Sequence, residues 1–127
     1  MFDHIDARSP TPLYAQIAAR VRLAIAAGML RAGAVLPSVR QLALQLRINP
    51  ATVVQAYREL EAEGLVSTRQ GAGTFVLDVV PERRRRTRLE EARRLARELL
   101  SHASRLGISV GELRDAIDHE FNGRAAE

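Results

Sequence analysis

Apolar side chains return every three or four positions in the first half of the chain, as they do on one face of an α-helix. The first such stretch begins at Leu13 and stops at Gly28, a typical C-terminal stop. A shorter stretch follows Ser38, which forms a capping box with Gln41 three residues later. The pattern therefore predicts two helices joined by a connector.

A third helix is predicted directly after the second one. Asn49 can cap its N-terminus, and Pro50 fits the first helical position because no hydrogen-bond donor is needed there. Gly64 ends it. The β-prone runs Leu65–Arg69 and Thr74–Leu77 flank the glycines of a hairpin turn, so they predict a two-stranded hairpin.

Two longer amphipathic helices are predicted in the last third of the chain. The first carries a wide apolar stripe and stops at Gly107, and the second opens with the capping box of Ser109 and Glu112. We therefore expect a mainly α fold with a small β-wing. Helix, turn, helix and hairpin form a winged helix-turn-helix domain over residues 1–80, and a short C-terminal helical hairpin follows over residues 81–127.

The C-terminal hairpin has too few residues to enclose a typical ligand cavity. Its wide apolar stripes require another surface, and a second copy of the chain supplies that surface most simply. A ligand at such an interface stays open as an alternative. The residues expected in this homodimerisation region are Leu89, Ala92, Leu95, Ala96, Leu99, Leu100, Ala103, Leu106, Leu113, Ile117 and Phe121.

All 19 basic residues are arginine, and the net charge is +4. Codon bias explains the missing lysine most simply, while guanidinium groups also suit phosphate and guanine. Residues 9–77 carry seven arginines against three acids, and the acids cluster at the far end of the third helix. The N-terminal end of that helix is therefore expected to be electropositive, since the helix dipole adds to the arginine charge.

Several classes of function are excluded or disfavoured. The absence of cysteine excludes a disulfide framework, a thiolate nucleophile and a Cys-ligated metal. The three histidines are scattered, so no enzyme is expected. Asp115 and His119 share a helical face, but two ligands fit an ordinary pair better than a metal site, and no metal or cofactor is expected. The chain shows neither a signal peptide nor the ~20 apolar residues of a membrane span, so we expect a cytoplasmic protein without membrane contact.

A wheel of ~100° per residue divides the third helix into two faces. Its apolar stripe is formed by Val53, Ala56, Tyr57 and Leu60. Ala51, Gln55 and Arg58 lie on the opposite face, with Thr52 and Val54 on the flanks. Gln55 can pair with adenine and Val54 can touch a thymine methyl, whereas Arg58 suits a phosphate. The alternatives to DNA contact stay open. Gln55 and Arg58 can simply be solvated, and Val54 can pack against the connector.

The hairpin tip offers Arg69, Gln70 and the backbone of Gly71 and Gly73. Glycine permits close approach to a sugar-phosphate backbone, but a plain tight turn also requires glycine, and the two readings weigh about equally. The arginine run 83–86 opposes the dipole of the helix it starts. We favour a solvated run there over contact with the DNA backbone.

Four linked motifs resemble the GntR family of bacterial transcriptional regulators. They are Leu36-Pro-Ser-Val-Arg-Gln-Leu-Ala43, Asn49-Pro-Ala-Thr-Val53, Ala56-Tyr-Arg-Glu-Leu-Glu-Ala-Glu-Gly-Leu65 and Arg69-Gln-Gly-Ala-Gly-Thr-Phe-Val76. The second motif, together with the short C-terminal part, is similar to the YtrA subfamily. The resemblance covers roughly residues 11–77 and is weaker beyond them.

The resemblance implies a homodimer on a palindromic operator, usually a repressor, that controls an operon for an ABC-type transporter and its own gene. No small-molecule effector is assigned. The DNA-binding positions that it implies are Arg40 from the second helix, Asn49, Pro50, Thr52 and Gln55 at the major groove, and Gly71 to Thr74 in the wing, while Ser38 and Tyr57 also fit the pattern and have structural alternatives.

The sequence departs from the family pattern at three positions. Ala51 stands where asparagine is frequent, which removes a possible base contact. Ala72 replaces a frequent basic residue, so this wing is expected to grip less tightly, and Ala32 replaces a frequent proline. The main alternative function is a winged helix used for protein contact without any role on DNA.

Overall fold

The computed structural model describes residues 1–125 and confirms the mainly α fold with a small β-wing. The elements are α1 (Leu13–Ala26), α2 (Val39–Leu46), α3 (Pro50–Ala62), β1 (Val66–Arg69), β2 (Gly73–Val76), α4 (Pro81–Arg105) and α5 (Val110–Ala125). The chain divides into two compact units, Met1–Arg88 and the part from Leu89 onward. The first turns of α4 belong to the first unit.

The second and third helices start where their capping residues predict. Ser38 Oγ accepts a hydrogen bond from the Gln41 amide at 3.1 Å, and Gln41 Oε1 accepts one from the Ser38 amide at 3.0 Å. Asn49 Oδ1 accepts from the Ala51 amide at 2.9 Å, with Pro50 at the first helical position. Donors that a helix start leaves unpaired are thus satisfied locally.

The core of the first unit forms where α3 packs against α1, α2 and β1. Its largest fully buried side chains are Ile17, Val21, Leu42, Val53, Leu60 and Val66. Burial of aliphatic side chains stabilises the unit by about 25 cal/mol for each Å² of apolar surface removed from water. Because Val53 and Leu60 fix one face of α3 in this core, the opposite face is left to solvent.

The wing is an antiparallel hairpin with β1 and β2 in the register Val66↔Val76 to Arg69↔Gly73. The connector before α2 adds an edge to it: Leu36 N donates to Thr74 O at 2.9 Å, and Val76 N donates to Ala34 O at 2.8 Å. The wing is therefore hydrogen-bonded along both sides of β2.

The N-terminal segment packs on the first unit, although its polar composition predicts no such role. Phe2 is buried in the core, and Ile5 packs against it. Gln16 holds the segment in place, because its Oε1 accepts from the Asp6 amide at 2.8 Å and its Nε2 donates to Asp6 O at 2.7 Å.

The second unit contains most of α4 and all of α5, joined at Gly107. Ser109 and Glu112 form the expected capping box at the start of α5. Hydrogen bonds from Ser109, its backbone amide first and its hydroxyl second, hold the pKa of Glu112 below its ordinary value. No helix within residues 1–125 is long and apolar enough to cross a membrane.

Candidate nucleic-acid interface

The outward face of α3 has the composition that the wheel predicts. Ala51, Gln55 and Arg58 are exposed, while Thr52 and Val54 on the flanks are half-buried. Within the described chain, Gln55 and Arg58 have no side-chain hydrogen bond or ion pair. Their polar groups are therefore free to meet a ligand along the outer face of the helix.

The N-terminal end of α3 is electropositive. Its peptide dipoles place partial positive charge there, although Asn49 accepts from two of the first amides, from Ala51 through its Oδ1 and from Thr52 through its backbone oxygen. Arg40 on α2 is exposed and unpaired among residues 1–125. Ser38 is exposed too, but its hydroxyl is occupied in the capping box. Arg40 is therefore available to bind an anion, whereas the Ser38 hydroxyl is already used.

The three acids among residues 9–77 lie at the other end of α3, and two of them are engaged there. Glu63 pairs with Arg22 of α1 at 3.0 Å, with both side chains about one-third exposed. Glu61 Oε2 accepts a hydrogen bond from the Thr68 amide of β1 at 2.7 Å. These two acids thus tie the C-terminal end of α3 to α1 and to the wing, and residues 50–58 of the helix contain no acid.

Tyr57 fixes α3 against the segment that leads into α2. Its hydroxyl donates to Pro37 O at 2.7 Å, and the side chain is buried. Burial raises the pKa of Tyr57 above its ordinary value, so the hydroxyl keeps its proton. Of the two roles that the sequence leaves open for Tyr57, this geometry supports the structural one.

Arg69 on the outer face of the wing is oriented by an aromatic ring that the sequence analysis does not single out. Its guanidinium carbon lies 4.9 Å from the centroid of Phe75. Gly73 is the partner directly opposite Arg69 and has no side chain of its own, so Arg69 can lean over the diagonal Phe75. Gln70 and Gly71 at the tip are exposed.

Thr74 differs from the other residues assigned to the wing surface. Its side chain is 8% exposed, and its Oγ1 lies 3.2 Å from Thr68 Oγ1. The two-residue alternation of a strand turns Thr74 to the core side, whereas Phe75 faces outward. We therefore count Thr74 among the packing residues of the wing and remove its side chain from the proposed contact surface.

The arginine run at the start of α4 is partly engaged with the first unit. Arg83 and Arg84 are half-buried, and Arg85 and Arg86 are exposed. A fifth arginine, which the sequence analysis leaves unassigned, has a defined role: Arg88 Nη1 donates to Ala26 O at 2.7 Å. A cation is favourable there because the C-terminus of α1 has unpaired carbonyls and partial negative charge.

The residues expected for homodimerisation form the surface of the second unit. Only Ala103 is buried, and Leu113 is half-buried. Apolar grooves between α4 and α5 bring Leu99 and Leu100 beside Ile117. The nine exposed members are Leu89, Ala92, Leu95, Ala96, Leu99, Leu100, Leu106, Ile117 and Phe121.

A winged helix-turn-helix whose third helix has a polar outward face defines the class of the first unit: a DNA-binding domain of a transcriptional regulator. The profile of the "Bacterial regulatory proteins, gntR family" matches residues 13–76, half of the chain. The chain belongs to the GntR family.

Similar proteins confirm both the family and the likeness to YtrA. The chain is 34% identical to the HTH-type transcriptional repressor YtrA of Bacillus subtilis strain 168, over 89% of this chain and 87% of that protein. A GntR family regulator from Listeria monocytogenes superimposes with a TM-score of 0.68 at 31% identity, covering 90% of this chain and 97% of that one. The DNA-binding domain of AraR in complex with operator ORE1 gives 0.51 at 28% identity, over 56% of this chain and 87% of that one.

The family and these relatives are transcriptional regulators, and the chain is accordingly not an enzyme. Within residues 1–125, no group of three or more His, Asp or Glu side chains is placed to hold a metal ion. Asp115 and His119 thus have no third ligand there.

Proposed function

We propose that this regulator is a dimeric repressor that binds a palindromic operator through α3 and the wing. The outward face of α3 carries the proposal: Gln55 and Arg58 are exposed without intramolecular partners. The acids of the helix are held at its opposite end. A polar face with one electropositive end is suited to insertion into the major groove.

Side chains on this face divide by the kind of contact they can make. Gln55 presents a donor and an acceptor, which match the major-groove edge of adenine, and Val54 offers a methyl surface for thymine. Arg40 and Arg58 supply charge to phosphates, which fixes the register of α3 without reading sequence. Asn49, Pro50, Ala51 and Thr52 line the N-terminal end and let the backbone approach the bases. Ser38 contributes indirectly, because its capping box fixes the start of α2, the helix that carries Arg40.

The wing supplies a second set of proposed contacts. Arg69 and Gln70 can reach phosphate oxygens, and Gly71 and Gly73 allow the hairpin backbone to lie close to the sugar-phosphate chain. The complex of the AraR DNA-binding domain with operator ORE1 supports this kind of role, since that domain is similar to the first unit. Ala72, where the family often has a basic residue, reduces the expected number of phosphate contacts.

The second unit supports the proposal of a homodimer. Of the described residues from Leu89 onward, Ala103 alone is buried, so α4 and α5 have almost no core of their own. Amphipathic helices need another apolar surface, and an identical copy provides it through a two-fold interface. A two-fold dimer presents two α3 helices, which matches an operator with palindromic half-sites.

We propose repression, and the genes that are repressed, from the likeness of this chain to its relatives. YtrA, similar to this chain over most of both lengths, is named a repressor. The YtrA-like resemblance implies control of an operon for an ABC-type transporter and of the regulator's own gene. Because operator DNA lies in the bacterial cytoplasm, we propose that the protein acts there.

A gel-shift titration on the DNA upstream of its own gene, at several salt concentrations, tests this proposal. We expect preferential binding to one fragment and a logarithm of affinity that falls linearly with the logarithm of salt concentration. Weak binding without salt dependence and without a preferred fragment overturns it and supports the alternative of a protein-contact module.

A further inference from the structure

Arg47 occupies the turn between α2 and α3 in a conformation that disfavours its side chain. As the C-terminal cap of α2 it has φ 56° and ψ 50°, in the left-handed region. Within residues 1–125, only His4 shares a positive φ among non-glycine residues. A Cβ in this region crowds the backbone, which glycine avoids.

The rest of the winged unit uses glycine wherever φ is positive after residue 4. The positions are Gly28, Gly33, Gly64, Gly71 and Gly73. In the turn of the helix-turn-helix, by contrast, an arginine adopts the left-handed conformation, which is energetically unfavourable for it. Strained backbone of this kind clusters at functional sites.

No intramolecular contact explains the arginine. Arg47 is exposed, and it forms no side-chain hydrogen bond or ion pair with any described residue. Its amide bonds back to Ala43 O and Leu44 O, which any residue can do. Folding therefore gains nothing visible from the guanidinium and loses stability through the backbone.

The location of Arg47 points to an anionic partner. It lies two residues before Asn49, next to the electropositive start of α3, and seven residues after Arg40. Both arginines are exposed, and Arg47 stands in the short turn between the C-terminus of α2 and the N-terminus of α3. A polyanion that meets the N-terminus of α3 is therefore within reach of the long Arg47 side chain.

We propose that Arg47 is a DNA-phosphate contact whose presence at the helix-turn-helix turn lowers folding stability and raises DNA affinity. This inference rests on the proposed DNA-binding function and adds a residue that the sequence motifs do not mark. It predicts that replacing Arg47 raises the stability of the fold and lowers the affinity for DNA.

The test compares the full-length wild type with Arg47→Gly and Arg47→Asn. Both substitutions remove the charge, and both residues tolerate the left-handed region, glycine better. We expect Arg47→Gly to raise Tm by about 4 °C. We expect both variants to lose about five-fold in affinity for a short duplex of random sequence, with a salt slope smaller by about 1.

Arg105→Gln is the matched control, because it removes one positive charge from the other unit. Arg105 lies on α4 opposite the apolar stripe, where it bonds to Ser101. The Arg105→Gln variant should show the same salt dependence of DNA affinity as the wild type.

The possible failures are distinguishable. A wild type that binds the duplex without salt dependence overturns the proposed function and this inference together. A salt-dependent wild type whose slope is unchanged in Arg47→Gly overturns this inference alone. An unchanged or lowered Tm in Arg47→Gly overturns the opposition between folding and binding.

Discussion

The hydroxyl of Tyr57 donates to the carbonyl oxygen of Pro37 at 2.7 Å and so joins α3 to the segment that leads into α2. Tyr57→Phe removes this donor and leaves a partly buried carbonyl without it. We expect the free energy of unfolding to fall by about 1 kcal/mol. Urea denaturation measures the change, with Tyr14→Phe as control, since Tyr14 is half-buried and has no hydroxyl partner within the described chain. Equal losses in both variants would contradict the specific role of Tyr57.

The raised pKa of Tyr57 gives a prediction for alkaline solution. A proton is held more tightly in the folded state than in the unfolded state, where the pKa has its ordinary value of 10.0. The contribution of the hydroxyl to stability is therefore fully present below pH 10.0 and declines as the pH rises above that value. Thermal unfolding between neutral pH and pH 11, about the highest practical value, should show a steeper alkaline decline for the wild type than for Tyr57→Phe. Parallel curves would contradict this.

Substitutions of Gln55 and Arg40 should affect DNA binding in different ways, because Gln55 is proposed to contact a base and Arg40 a phosphate. Gln55→Ala should reduce discrimination at one base pair by about 1–3 kcal/mol, because the bidentate amide contact is lost. Arg40→Ala should weaken binding to every sequence alike and lower the salt slope by about 1. Competition binding against a set of single-base operator variants measures both. Uniform losses across all variants for Gln55→Ala would show that it reads no base.

The ring of Phe75 is expected to hold Arg69 ready for DNA. A cation–π contact at an exposed site contributes about 0.5–1 kcal/mol, so Phe75→Leu should weaken DNA binding by about two- to five-fold. Phe75→Tyr retains the ring and should bind like the wild type. A double-mutant cycle with Arg69→Ala isolates the coupling, and additive losses would show that the ring does not act through Arg69.

The proposed dimer is sensitive to charge on the apolar surface of the second unit. Leu99 borders both grooves between α4 and α5, so Leu99→Asp should shift the protein from dimer to monomer in light scattering. Ser101→Asp introduces the same charge beside Arg105 and should remain dimeric. A Leu99→Asp variant that keeps the wild-type mass places the interface elsewhere.

Features set by neighbouring residues could be predicted from the sequence. The caps at Ser38 and Asn49 and the buried stripe from Val53 to Leu60 depend on contacts within one or two helical turns. The periodicity of the stripe also determines which residues of α3 face outward, so the outward face follows from the sequence alone.

Features that join distant segments could not be predicted. Phe2 is buried by elements that follow it, and Arg88 reaches the end of a helix 62 residues earlier in the chain. The stacking of Arg69 on Phe75 depends on the hairpin register, and the same register turns Thr74 inward. A one-residue difference in strand pairing reverses such assignments, and propensity alone does not determine the pairing.

The double attachment of β2 and the hydrogen bond from Thr68 to Glu61 bear on the entropy of complex formation. A free hairpin loses backbone and side-chain freedom when a partner orders it, and that loss subtracts from affinity. Here the hairpin is ordered by the connector on one side and by α3 on the other before any partner arrives. We therefore expect α3 and the wing to meet DNA as one preorganised surface, so that few wing contacts are needed for favourable binding.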